Sequence, residues 1–153
     1  MNWRDFELGA PELAALARDE FGKTGIALVG TLRRDGSPRI SCVYPCILET
    51  ELYLAMMWQS RKAVDLLRDP RLVLHNAVAT NLGDETEVIL RGNALELKGE
   101  DSKRRYLDAV PEWADRRFHL FAFDLESAAL VRYEAGMQHV RVWPGGVEFT
   151  RPY

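Results

Sequence analysis

Turn residues cut the chain into short apolar runs, and this punctuation excludes a bundle of long helices before any other property is considered. Ile26 to Leu32 reads as a largely buried strand, and Asp35-Gly36 turns it into a second run, Arg39 to Leu48. The short connection Glu49-Thr50-Glu51 leads to a third run, Leu52 to Met57. Together the three predict an antiparallel meander with one face to bury.

Helical spacing is confined to short stretches. Leu13, Leu16, Ala17 and Phe21 predict an amphipathic helix from Pro11 to about Phe21, ended by Gly22 and Gly25. Ser60 is placed to cap a second helix with Ala63, Val64, Leu66 and Leu67 inward, stopped by Asp69-Pro70. Arg71 to Thr80 reads as a fourth strand, Asn81 to Glu85 as a turn, and Glu87 to Lys98 as a fifth strand with a bulge at Gly92. Glu100 to Val110 is helical in pattern, and Pro111 to Arg117 suggests a further short turn of helix. Strand alternation returns over Phe118 to Asp124, Ala128 to Tyr133 and Gln138 to Trp143, and Pro144-Gly145-Gly146 turns the chain into Val147 to Thr150. The fold class predicted is mainly β (α+β), with seven or eight strands, two to four short helices and a single domain over 1–153. Pattern alone leaves sandwich, barrel and other α+β arrangements open.

The 153 residues carry 20 Lys and Arg against 23 Asp and Glu, a formal charge of -3. No field of one sign covers such a surface, so nucleic acid is not expected as a partner. The opening Met1-Asn2-Trp3-Arg4-Asp5 lacks an apolar secretory core. Nor does any stretch approach the roughly 18 apolar residues that cross a bilayer, so the expectation is a cytoplasmic protein with no membrane partner. Cys42 and Cys46 fall on one face of a run about 13 Å apart at ~3.3 Å per residue, too far for a disulfide, and read as buried thiols. His75, His119 and His139 are scattered without metal-ligand spacing, so no metal is expected.

Three segments carry a resemblance. Gly30 to Ile40, with its Asp35-Gly36-Ser37-Pro38 turn, is followed by Leu52-Tyr53-Leu54 and then by Ser60-Arg61-Lys62-Ala63-Val64-Asp65-Leu66-Leu67-Arg68-Asp69-Pro70-Arg71. In this order and spacing they resemble the pyridoxamine 5'-phosphate oxidase-like family of FMN-binding split barrels. The resemblance covers about Ile26 to Leu97. It implies a Greek-key split β-barrel, a homodimer with a cofactor in each cleft between subunits, and an oxidoreductase acting on a small-molecule substrate. It implies that Ser60, Arg61 and Lys62 receive the FMN phosphate, and that the ring lies along Arg39, Ile40, Ser41, Cys42 and Val43 and along Ala55, Met56 and Met57. The physical reading of the same turn agrees. A phosphate monoester brings roughly -1.5 to -2 charges, and a helix start offers N–H donors, a hydroxyl and two cations to meet them. Arg39 is the candidate to stabilise a reduced, anionic ring.

Beyond Leu97 the resemblance thins. Nothing matches the segment with which the true oxidase grips pyridoxal phosphate, so vitamin-phosphate oxidation is not expected, and Glu87 stands where that subfamily carries a neutral amide. His139, Arg141 and Trp143 alternate on one strand face and are expected to reach the partner subunit's cofactor. No general acid or base declares itself, and catalytic residues stay unassigned. A deazaflavin-dependent reductase of the same fold, a non-catalytic flavin carrier or sensor, and a cofactor-free dimerisation module are the alternatives. Trp113 and Trp143 lack evident cover in one barrel, which again points to a dimer.

Overall fold

In the computed structural model, which describes residues 1–78 and 82–153, the expected hairpin forms β1 (Ala27–Leu32) and β2 (Pro38–Val43), paired antiparallel. The Asp35 carboxylate accepts from the Ser37 N–H at 2.9 Å and hydroxyl at 2.6 Å, while Gly36 takes a φ of 81° that other residues rarely adopt.

The run expected to continue to Leu48 breaks at Tyr44. Pro45 has no N–H to give to a ladder and restricts the residue before it, so the chain changes neighbours. It resumes as β3 (Pro45–Leu48), which pairs with β4 (Glu51–Met57). The sheet order is β2-β1-β5-β6-β7-β4-β3, so the two halves of one stretch stand at opposite ends of the path, joined by chain through Tyr44. The predicted three-strand meander is therefore corrected: its middle strand is two, β2 pairing with β1 and β3 with β4, so no single strand joins β1 to β4.

The remaining strands are β5 (Arg71–Asn76), β6 (Thr86–Glu96), β7 (Phe118–Glu134), β8 (Met137–Trp143) and β9 (Val147–Pro152). Among the described residues nine strands stand where seven or eight were expected. The stretches predicted around 118–124 and 128–133 are one strand, β7, whose start pairs with β4, whose middle pairs with β6 and whose end pairs with β8. Both faces of β7 are covered over most of its length, which erases the alternation expected of two half-exposed strands. The predicted bulge is present as a register shift between Arg91 and Gly92. Thr80 and Asn81, the expected strand end and turn start, lie outside the described residues.

The helices are α1 (Trp3–Gly9), α2 (Pro11–Thr24), α3 (Arg61–Arg68) and α4 (Glu100–Ala109), followed by a single 3₁₀ turn at Pro111–Trp113. Gly22 lies inside α2 rather than ending it, and Gly25, at φ 67°, forms its C-cap. α1 was not foreseen. Its Asn2 side chain accepts from the Asp5 N–H at 2.9 Å, and Trp3 and Phe6, both buried, drive it onto the core. Phe6 also meets the Trp143 ring at 5.1 Å, and Trp113 packs edge-on to Phe118 at 5.3 Å. Cover for both tryptophans thus comes from within the chain, and they lose their force as an argument for a dimer. Among the described residues no helix is long and apolar enough to cross a membrane.

Candidate functional site

α3 packs between β1 and β4, and this brings the predicted turn against β2. Lys62 donates from Nζ to the Cys42 carbonyl at 2.6 Å, a bond between segments 20 residues apart. It is possible because β2 is a sheet edge whose outward main-chain groups have no ladder partner. Burial pushes the Lys62 ammonium below its ordinary pKa, partly countered by the nearby Cys42 thiol. Arg61 is exposed and makes no ion pair among the described residues. Ser60 holds the N-cap position in extended backbone, yet its side chain makes no capping bond, contrary to expectation; its Oγ is buried without a partner. A helix mouth with an unsatisfied hydroxyl, a free guanidinium and an anchored ammonium is suited to a phosphate.

Only Ala63 and Leu66 of the four apolar side chains predicted to face inward are buried. Val64 and Leu67 are 37% and 44% exposed, and Asp65 takes the inner face instead. Its Oδ2 accepts from Arg39 Nε at 2.6 Å and from the Thr31 hydroxyl at 3.1 Å, and Arg68 approaches its Oδ1 at 3.5 Å. Arg39 is therefore committed to a buried carboxylate, and its charge is largely neutralised for the ring-stabilising role expected of it. Burial pushes the Asp65 carboxyl up, but the hydrogen bonds from Arg39 and Thr31 and the neighbouring cations outweigh it and hold the group below its usual value. A lowered folded pKa means stability that is present above the unfolded value, about 3.9, and lost as pH falls through the folded one. Acid unfolding followed by circular dichroism is expected to show a steeper loss of stability below about pH 4 for wild type than for Asp65→Asn. Equal slopes would remove Asp65 from this role.

The expected ring-lining residues divide. Ile40 is 73% and Met57 64% exposed, Cys42 is exposed rather than a buried thiol, and Ser41 is half-buried. Val43, Ala55 and Met56 are filled into the core at 2%, 6% and 1% exposure, so their side chains are not available to a surface ring. Both cysteines are free, as their spacing predicted. His139, Arg141 and Trp143 do share the half-buried face of β8, but their side-chain partners are Thr150, Glu12 and Glu148, and Phe6. Within one chain, none of these partners belongs to β2, β4 or α3. Glu87 lies 4.0 Å from His75 Nε2.

One feature beside the site was not read from the sequence. Trp58, just past β4, is sandwiched between the Arg117 guanidinium at 3.8 Å and the His119 ring, stacked at 4.2 Å and 9°. His119 is buried, with Nδ1 2.8 Å from Glu96 Oε1 and Nε2 without a partner. No spacing links Trp58 to His119; the pairing of β4 with β7 does.

No protein-family profile matches the chain, and neither does any curated protein. Solved structures match its architecture. One is a protein related to general stress protein 26 of B. subtilis, of the pyridoxinephosphate oxidase family, from Clostridium acetobutylicum: TM-score 0.62, 15% identity, 90% of this chain and 92% of that one. A NimC/NimA family protein from the same organism matches at TM-score 0.63 and 15% identity, over 84% of this chain and 91% of its own. HutZ, the heme storage protein from Vibrio cholerae, matches at 0.58 and 13%, over 74% and 90%. At such identities the likeness concerns the fold. The chain is a mainly β protein of the split-barrel class, its antiparallel sheet left open between β2 and β3.

Proposed function

We propose that the chain binds FMN as a homodimer, with the cofactor in the cleft between subunits, and acts as an oxidoreductase on a small molecule. The reading is carried by the mouth of α3, where Lys62 is tied to β2 and the Ser60 hydroxyl is buried without a partner. Arg61 and Lys62 would hold the phosphate with Ser60 and the first N–H groups of α3, and the free edge of β2 would offer main-chain groups to the ring. FMN, when bound, supplies the electron chemistry, and this chain supplies placement and shelter from water. Tyr44, Ile40 and Met57 are 61%, 73% and 64% exposed, apolar surface that a ring and a partner subunit would cover.

Titration of the purified protein separates the readings. FMN is expected to bind with micromolar affinity, with its fluorescence changed, to a particle twice the 17.5 kDa chain by light scattering. Stronger binding of a deazaflavin would move the chain to that coenzyme. Since HutZ is named for heme storage, hemin is the third arm, and hemin binding without FMN binding overturns the proposal. Consumption of NADH or NADPH with an acceptor marks an enzyme, and FMN binding without turnover marks a carrier.

A further inference from the structure

Beside Trp58, α4 and the segment entering β7 border a groove of about 650 Å³, within the ~300–1,000 Å³ of small-molecule sites. Leu107, Phe118 and Trp58 give its lining an apolar part. The same lining includes Lys103, Arg104, Arg116 and Arg117 against the carboxylates of Glu100 and Asp108, an excess of positive charge in a chain whose formal charge is -3.

The cations are held differently. Arg104 is bonded to Asp101, one turn away. Arg117 sits over the Trp58 ring with its guanidinium carbon 3.8 Å from the centroid and has no ion-pair partner among the described residues, so a ring and not a carboxylate holds its guanidinium. Lys103 is half-buried and has no ion-pair partner among the described residues. The Trp58 N–H donates to the Arg117 carbonyl at 3.1 Å, which locks the corner that closes the groove. Ser60, Arg61 and Lys62 take no part in its lining.

Apolar side chains beside cations that have no carboxylate partner among the described residues, Lys103 half-buried and Arg117 exposed, favour a ligand that is both apolar and anionic. We infer that this groove is a second binding site, for a small aromatic anion, with Lys103 and Arg117 holding the charge and Leu107 and Phe118 the ring. The site stands whether or not the α3 turn receives FMN.

Calorimetry with naphthyl phosphate as probe tests it. Submillimolar binding that weakens with salt is expected, with the neutral analogue naphthylmethanol binding at least about tenfold more weakly. Lys103→Ala, on a helix face, should reduce affinity about tenfold, and Arg104→Ala, already paired, much less. Arg117→Lys, which keeps the charge but loses the guanidinium over the ring, should also weaken binding, so the test does not hang on one variant. Saturating FMN should leave the affinity unchanged. Absence of binding at about 1 mM, equal binding of the neutral analogue, indifference to both Lys103→Ala and Arg117→Lys, or displacement by FMN would each overturn the inference.

Discussion

Gly92→Ala is expected to destabilise the protein by about 3 kcal/mol, the largest loss of any glycine-to-alanine change in this chain. A Cβ at this position would sit 2.0 Å from the Asp124 carbonyl oxygen, 3.0 Å from its carbon and 3.1 Å from the Leu125 Cα. These are main-chain atoms of β7, so no side-chain rotation relieves the clash. Relief requires β6 and β7 to part where their register shifts, at the bulge between Arg91 and Gly92. That point lies near the middle of the longest ladder in the sheet, where β7 passes from β4 at its start to β8 at its end. Gly30 supplies the contrast: its added Cβ would meet Val73 Cγ1 at 2.6 Å, the tip of a side chain that can turn. Urea unfolding of the two variants should place Gly92→Ala well below Gly30→Ala in midpoint at similar slope. The reverse order would mean that the sheet yields at β7 more easily than Val73 does.

The same bulge was legible in the sequence, because a lone glycine inside a strand pattern has few other uses. The β1–β2 hairpin was legible for a similar reason, since Asp35-Gly36-Ser37 encodes its own hydrogen bonds within the turn. What escaped was non-local. Nothing adjacent to Tyr44-Pro45 says that β3 will pair at the other end of the sheet, although the proline marked where a ladder must stop. α1 escaped because seven residues show too little periodicity, and its stability comes from burying Trp3 and Phe6 rather than from propensity. At the candidate site, the start of α3 after Ser60 was readable but the inner face of the helix was not. Apolar spacing put Val64 and Leu67 inside, whereas the helix turns Asp65 inward because Thr31, Arg39 and Arg68 converge to satisfy it. Such a carboxylate is identified by its partners, which lie in three different parts of the sequence.

If the α3 turn is a phosphate seat, Lys62→Ala should weaken FMN by at least tenfold, and the Arg61→Ala/Lys62→Ala double variant by about a hundredfold or more. Each charge-assisted hydrogen bond is worth ~1.5–3 kcal/mol, and tenfold in affinity is ~1.4. The two cations differ in what else they do. Lys62 also braces the Cys42 carbonyl, so its removal disturbs β2 as well as a ligand, whereas Arg61 is exposed and has no bond among the described residues to lose. Riboflavin, which lacks the phosphate, separates the effects. Arg61→Ala should leave riboflavin affinity unchanged while lowering FMN affinity, and wild type should prefer FMN by a margin that the double variant abolishes. Salt should weaken FMN more than riboflavin in wild type, and equally in the double variant. Were Lys62→Ala to lower both flavins alike and Arg61→Ala neither, the lysine would be a strut between α3 and β2, and the dianion would have to be received elsewhere on the molecule.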